Sequence, residues 1–417
     1  MNIQEKLKLE KSNLLYKKSF DNVPGGVLGV RRPYNFVQNE YPIFLDSSKG
    51  CFIKDVDGNE YLDMLAAYGP IIIGYREEEI DDAVIDQIKN KGFCMTLTQN
   101  TQNKLIDKLR NLIPSCEKAI IVKTGSDAST LAIRIARGFT NKDIILRCGY
   151  HGWHDWCVEE KGGIPKQSYQ NVIDFEFNNL NSVEEKIIKY RDKIAAIITQ
   201  PIWTPLVKEV EEPNKDYLSG LRKLADKHGI VLIFDEIRTG FRVDIGGAQK
   251  LYNVKPDLSV IGKAMANGYP ISAVVGKRDI MNVASHKVFV SSTYFPNSFE
   301  QVAALRTIDF LTKNDVLNDI KTKGKYFSDR IIKIIEKSNV NCQFSGGPWM
   351  PFISFNKEKE TINRQMRSIF YKYLVRSKIF LAPFHHGYIM YRHSYKDLDY
   401  VIQKIEDGLS FLNKNLK

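Results

Sequence analysis

Between residues 116 and 275 the chain repeats one pattern: a short apolar run, a turn, then an amphipathic stretch. That alternation is the signature of parallel strands joined by helices and assigns this stretch to an α/β core. The clearest strands are Ala119–Val122, Ile144–Arg147, Ala195–Thr199, Ile230–Phe234 and Leu258–Ile261, and their nearly unbroken apolar character suits strands covered on both faces. Before the core, Phe52–Tyr61 reads as a hairpin around the turn signal Asp57-Gly58. After it come helical patterns at Asp315–Ser338, Glu358–Arg376 and Asp397–Leu412, and a strand at Phe352–Phe355. The expected organisation is a large domain over residues 71–310, with 1–70 and 311–417 joining as a small one. Open α/β sheets bind ligands beyond the carboxyl ends of their strands, so the motifs found there carry most weight.

With 417 residues, 43% of them hydrophobic, the chain has ample core, which excludes disordered and collagen-like classes. The opening MNIQEKLKLEKSN has no apolar core followed by a small-residue cleavage site, so a cytoplasmic location is expected. The longest charge-free apolar stretch, Ile194 to Val207, is broken by Gln200, Pro201 and Pro205 and is shorter than the ~18 residues of a membrane span. The six cysteines are scattered without a CxxC pair and are read as reduced thiols. A net charge of +11 is spread along the whole chain rather than gathered into a stripe, which gives no support to nucleic-acid binding.

Four motifs sit at strand ends. Lys123-Thr-Gly-Ser-Asp-Ala128 lies between a strand and a helix with the apolar face Ala128, Leu131, Ala132, Ile135, Ala136 and Phe139. Gly125 lets a ligand approach the backbone, Ser126 offers a hydroxyl, and a helix start favours an anion. The same residues also make a capped helix with no ligand. Val231-Leu-Ile-Phe-Asp235-Glu236 leaves two carboxylates at the end of a buried strand. A nucleotide hydrolase would use such a pair, but it also needs a GxxxxGK[ST] loop, and the chain has none. Lys263 follows the strand Leu258–Ile261; a lysine there serves solvation unless it is buried, which would lower its pKa and make it a nucleophilic amine. Tyr150-His-Gly-Trp-His-Asp-Trp156 offers a ring to stack on something flat. His151 and His154 lack a third ligand nearby in sequence, so no metal site is expected. The absence of GxSxG and of GxGxxG after a strand removes serine-hydrolase and nicotinamide readings. A phosphate cradle, an acid, a flat ring and an amine together fit pyridoxal 5′-phosphate.

In chain order, PGGV, YLDMLAAYGPIIIGY, KTGSDASTLAIRIARGFT, GYHGWHD, LIFDEIRTGFRV and PDLSVIGKAMANGYP resemble the class III, fold-type I PLP-dependent aminotransferases, especially their glutamate-1-semialdehyde aminomutase branch. The resemblance runs from about Val23 to Leu409. It implies an α/β fold whose large domain has a mainly parallel central sheet flanked by helices, with a small α/β domain from both termini. It also implies a homodimer with active sites shared across the subunit interface, acting on a small-molecule amino donor and a carbonyl acceptor. Lys263 matches the lysine that holds the cofactor aldehyde covalently, and Asp235 matches the carboxylate paired with the pyridine nitrogen. Tyr150 matches the stacking ring, with His151 beside it. Gly125 and Ser126 match the phosphate loop, and Thr293 resembles the threonine that reaches the phosphate from the partner subunit. Asp127 stands where the family usually has Glu.

Some positions depart from the branch. Only Cys157 to Gly163 separate Trp156 from Ile164-Pro165, where the aminomutases carry a long gating segment. A short gate favours a transaminase that releases its product over an isomerising mutase. Gln200 replaces a usual Glu, Tyr75 a common His, and His385-His386-Gly387-Tyr388 has no counterpart. Arg31, Arg32, Tyr68, Trp153, Trp203 and Arg392 are candidates for the substrate entrance, where an Arg would pair with a carboxylate or phosphate; each taken alone reads more readily as an ordinary surface or packing residue. These changes suggest a specialised acceptor, such as a carbohydrate-related or small phosphorylated carbonyl compound. A non-catalytic binding protein of the same fold is the alternative of another class, and retention of Lys263 and Asp235 argues against it. Asp235→Ala is expected to slow turnover roughly a thousandfold or more, at about 1.36 kcal/mol of barrier per tenfold, as measured by steady-state kinetics of the purified variant.

Overall fold

Strands and helices alternate where apolar runs alternate with amphipathic stretches. The computed structural model describes residues 5–355 and 359–415. Two units emerge: one of Met1–Glu77, Pro205–Val210 and Asn318–Lys417, the other of Glu78–Thr204 and Glu211–Leu317. In the first unit β1 (Leu45–Lys49), β2 (Phe52–Asp55) and β3 (Glu60–Asp63) form an antiparallel meander. The β2–β3 reversal takes in Val56, Asp57 and Gly58, longer than the two-residue turn the Asp-Gly pair suggests. The Asp55 carboxylate accepts the N–H groups of Asp57 at 3.0 Å and Asn59 at 2.8 Å, and so sets the wider turn.

The second unit is built on a seven-stranded sheet of β4 (Lys118–Val122), β5 (Ile144–Cys148), β6 (Val172–Asp174), β7 (Ile194–Thr199), β8 (Val231–Glu236), β9 (Leu258–Ile261) and β10 (Ser272–Gly276). Their order is β4-β10-β9-β8-β7-β5-β6. Neighbours pair in parallel except β10, which is antiparallel to both β4 and β9. An apolar run does not encode its direction, which is why β10 and the short β6 are not among the clearest sequence strands. Because β10 reverses twice, β4 still runs with the other parallel strands, and all their carboxyl ends share one edge.

Both faces of this sheet are covered. The helix Gly125–Thr140 buries Ala128, Leu131, Ala132, Ile135 and Ala136 in one core cluster, with Val231, Ile233 and Val260 from the strands. Phe139, read as part of that face, is 40% exposed at its margin. On the opposite face the helices Leu180–Tyr190 and Tyr217–His228 pack with Leu232 and Phe234. The pleat of β8 therefore sends Val231, Ile233 and Asp235 to one face and Leu232, Phe234 and Glu236 to the other.

Returning to the first unit, β11 (Cys342–Ser345) pairs antiparallel with β12 (Phe352–Phe355), and β13 (Ile379–Phe380) runs parallel to β3. The helices of the tail are Val316–Lys337, Glu360–Arg376 and Tyr395–Asn415; Glu358, expected to open the second, lies outside the described residues. Leu7, Leu9, Tyr41, Ile53, Tyr61 and Val375 form a core cluster that joins both ends of the chain. Among the described residues no helix is long and apolar enough to cross a membrane.

Glu236 is fully buried, and that burial raises its pKa above the usual carboxylate value. Its oxygens accept the N–H groups of Ala248 at 2.5 Å and Gln249 at 3.0 Å, the Gln249 amide at 3.0 Å and the Thr239 hydroxyl at 2.8 Å. It thus ties down the loop that follows β8. Glu236→Ala orphans these donors and is expected to lower stability by about 3 kcal/mol, seen as a drop in thermal midpoint.

Candidate active site

The carboxyl edge of the seven-stranded sheet gathers most of the chemistry-bearing residues. After β4, Thr124 caps the helix Gly125–Thr140: its hydroxyl accepts the Asp127 N–H at 3.1 Å, and the Asp127 carboxylate accepts the Thr124 N–H at 2.8 Å. Asp127, short as it is, completes this reciprocal cap. The first-turn N–H groups of Gly125 and Ser126 have no intrahelical acceptor and could receive an anion at the helix start.

After β5 the chain folds back over that helix start. Gly152 sits at φ +115°, and a Cβ there would lie 2.3 Å from Ser126 Oγ, so only glycine permits the approach. The Trp153 N–H donates to Ser126 Oγ at 3.3 Å, and the Ser129 hydroxyl donates to the His151 carbonyl at 2.5 Å. This contact holds Tyr150 and His151 next to the cradle. Tyr150 is exposed, with the Arg238 guanidinium 5.9 Å from its ring centroid.

His151 and Asp235 are buried and meet at 2.6 Å, Nδ1 to Oδ2. The imidazole Nε2 lies 3.2 Å from the Cys148 carbonyl, and the ring stacks parallel to Trp156. The other Asp235 oxygen accepts the Ile237 N–H at 3.1 Å. The carboxylate is thereby oriented on the face of the sheet that carries Gly125–Thr140.

Lys263 leaves β9 with a left-handed φ of +44°, a conformation that costs a non-glycine residue about 1–2 kcal/mol. Burial holds its amine well below the ordinary lysine pKa; the charges of Arg238 and Arg242 push the same way, and Asp235 opposes them. A neutral amine can condense with an aldehyde. The oriented carboxylate can pair with a protonated ring nitrogen, and the cradle can hold a phosphate. Arg238 and Arg242 were not singled out from sequence, although both lie in the quoted LIFDEIRTGFRV; Arg242 is fully buried.

The other candidates are placed differently. Thr293 is exposed on a turn of the same unit and makes no side-chain hydrogen bond among the described residues. Trp153 is 70% exposed, its ring edge-on to His154, whose Nδ1 lies 2.8 Å from the Thr130 hydroxyl. Among the described residues no group of three metal-ligating side chains occurs.

Arg31, Tyr68 and Arg392 belong to the other unit. The Arg31 guanidinium lies 5.7 Å from the Tyr68 ring centroid, and Tyr68 is edge-on to His385 at 5.3 Å. Tyr68 is carried by a run of left-handed residues, Ala66 (φ +50°), Ala67 (φ +52°) and Tyr68 (φ +69°). Asp63 holds that turn by accepting the N–H groups of Leu65 at 2.7 Å and Ala66 at 3.1 Å, together with the Tyr75 hydroxyl at 2.7 Å. Arg392 is paired through both Nε and Nη2 with the Glu77 carboxylate, at 2.8 and 2.7 Å.

Residues 34–372 match the family model of the class III aminotransferases. A 3-aminobutyryl-CoA aminotransferase of Cloacimonas acidaminovorans is 54% identical, over 99% of this chain and 100% of the relative. A glutamate-1-semialdehyde 2,1-aminomutase of Methanosphaera stadtmanae is 33% identical, over 98% of this chain and 100% of the relative. The FumI protein of a Sphingopyxis species, solved in its PLP internal aldimine form, superposes with a TM-score of 0.91 at 24% identity, covering 97% of each chain. The fold is that of the fold-type I PLP-dependent transferases. The chain belongs to the class III aminotransferases, enzymes that work with pyridoxal 5′-phosphate and exchange an amino group between two small molecules.

The depressed Lys263 pKa has a measurable consequence. Between that value and 10.5 the unfolded chain binds a proton that the folded, cofactor-free protein does not, so stability rises with pH across the window. Lys263→Met is expected to remove this slope in denaturant titrations of the cofactor-free protein over that pH range.

Proposed function

We propose that this enzyme is a transaminase that releases its product after each half of the cycle, with Lys263 and Asp235 as its catalytic pair. The observation that carries the reading is the arrangement of two side chains on adjacent strands. A weakly basic amine follows β9, and an oriented carboxylate ends β8. Lys263 would hold the cofactor aldehyde and, once displaced, carry a proton to and from the substrate carbon. Asp235, fixed by His151, would keep the pyridine nitrogen protonated. The N–H groups of Gly125 and Ser126 would hold the phosphate, and Tyr150 would stack on the ring. Bound there, pyridoxal 5′-phosphate supplies an electron sink for the carbanion formed when a substrate loses that proton.

In the net reaction the donor exchanges its amino group for the acceptor's carbonyl oxygen, so no external oxidant or reductant is required. The 54% identical relative points to a β-oxoacyl acceptor such as a 3-oxoacyl thioester, in place of the sugar-like or phosphorylated carbonyl compound suggested by sequence. Arg31 and Tyr68 are proposed to border the substrate, and Trp153 to lie at the entrance. Arg392, engaged with Glu77, is better suited to a structural role. A homodimer in which a second copy brings Thr293 to the phosphate suits that residue's exposure on its turn. A cytoplasmic location is proposed from the character of the opening segment.

The aminomutase reading draws on the 33% identical relative, and the short segment from Cys157 to Gly163 speaks against it. Strict dependence of turnover on an added amino donor is the expected result, read as conversion of the cofactor's visible band by donor and its return with acceptor. Donor-free turnover of glutamate 1-semialdehyde would establish the mutase instead.

A further inference from the structure

At the carboxyl edge, Arg238 is a cation that the roles above leave unused. Arg238 stands two residues beyond Glu236, and Lys263 stands two beyond Ile261. Glu236 and Ile261 are register partners on β8 and β9, so both basic residues leave the sheet at the same level. One arm of Arg238 is fixed: Nη1 donates to the Thr204 carbonyl at 2.7 Å and to the Thr204 hydroxyl. The Tyr150 ring centroid lies 5.9 Å from its guanidinium carbon. Among the described residues the opposite edge, Nε with Nη2, has no hydrogen-bond partner and no carboxylate within ion-pair reach.

The nearby acids are already engaged, Asp235 by His151 and the Ile237 N–H, Glu236 by the loop it anchors. A part-buried guanidinium without a counter-ion is destabilising. It also sets a positive charge against the neighbouring amine. Both penalties are relieved when an oxygen anion or a polarised carbonyl meets the open edge, whose geometry is that of a two-pronged oxygen receptor.

We propose that Arg238 is the specificity-determining residue of this site, its Nε–Nη2 edge receiving the donor's carboxylate in one half of the cycle and the acceptor's acyl carbonyl oxygen in the other. The inference deepens the reading given above and rests on it. One site has to serve two substrates in turn, and a single fork that accepts either two oxygens or one does so without moving the backbone.

The test uses holoenzyme of the wild type, Arg238→Met and Arg238→Lys. Each is mixed in single turnovers with L-glutamate or with 3-aminobutyryl-CoA, and conversion of the cofactor band is followed. The half-saturation concentration for both probes is expected to rise roughly ten- to a hundredfold in Arg238→Met and less in Arg238→Lys. The pH titration of the band in the absence of substrate is expected to move upward in Arg238→Met, which loses a charge that depresses the Lys263 amine, and to stay as in the wild type in Arg238→Lys, which keeps one. Unchanged half-saturation in the variants would overturn the assignment. So would a band titration displaced in Arg238→Lys with unchanged half-saturation, which would put the guanidinium on a cofactor oxygen instead. A wild type that takes up cofactor but reacts with neither probe would sink the substrate reading together with this assignment, whereas an active wild type with unaltered variants would sink the assignment alone.

Discussion

Two carboxylates that follow one another at the end of a strand cannot share a neighbourhood, because the pleat turns them to opposite faces. That constraint organises the cofactor edge. Glu236 goes to the face of Leu232 and Phe234 and is consumed by the loop after β8, taking two backbone N–H groups, an amide and a hydroxyl. Asp235 goes to the face of Gly125–Thr140, where His151 meets it at 2.6 Å. The first acid makes the loop rigid enough to present Arg238 and Arg242, and the second acts within the frame so formed. Without Glu236 the residues that modulate Lys263 would lose their anchor.

Lys263 shows how backbone and charge work together. A left-handed φ lets its side chain leave β9, and burial then depresses the amine. Arg238 and Arg242 add to the depression and Asp235 opposes it. On the proposed reading a cofactor phosphate at the helix start would meet part of this positive charge, and the open edge of Arg238 would take a second oxygen-bearing group.

Strand-end chemistry was legible in the sequence because each element of it is local. Asp235 ends an apolar run and Lys263 follows one, and the Gly-Ser turn precedes an amphipathic helix. Relations across the chain were not legible. Glu77 and Arg392 are 315 residues apart, and no spacing rule joins them. The direction of β10 is absent from its composition. The left-handed turn at Ala66–Tyr68 is silent too, since alanine does not signal positive φ; it is written in the Asp63 carboxylate that ties Leu65 and Ala66, a contact only the folded chain displays. Arg238 was hidden differently, inside a motif whose acid drew all the weight.

Three positions that depart from the family pattern have local partners in the fold. Asp127 completes a reciprocal helix cap. Gln200 donates its amide to the Tyr150 carbonyl at 3.1 Å and so steadies the chain just before His151. Tyr75 donates its hydroxyl to Asp63, the acid that holds the left-handed turn. Burial raises the Asp63 pKa to about 6, against the pull of those hydrogen bonds, so this turn rests on a carboxylate close to protonation. Two replacements that suggested an unusual acceptor, Gln200 and Tyr75, thus have partners that steady the backbone. The burden of substrate choice shifts to side chains with polar edges left over. At the carboxyl edge of the sheet Arg238 is such a side chain, because Thr204 holds one arm of it while leaving the rest of its fork open.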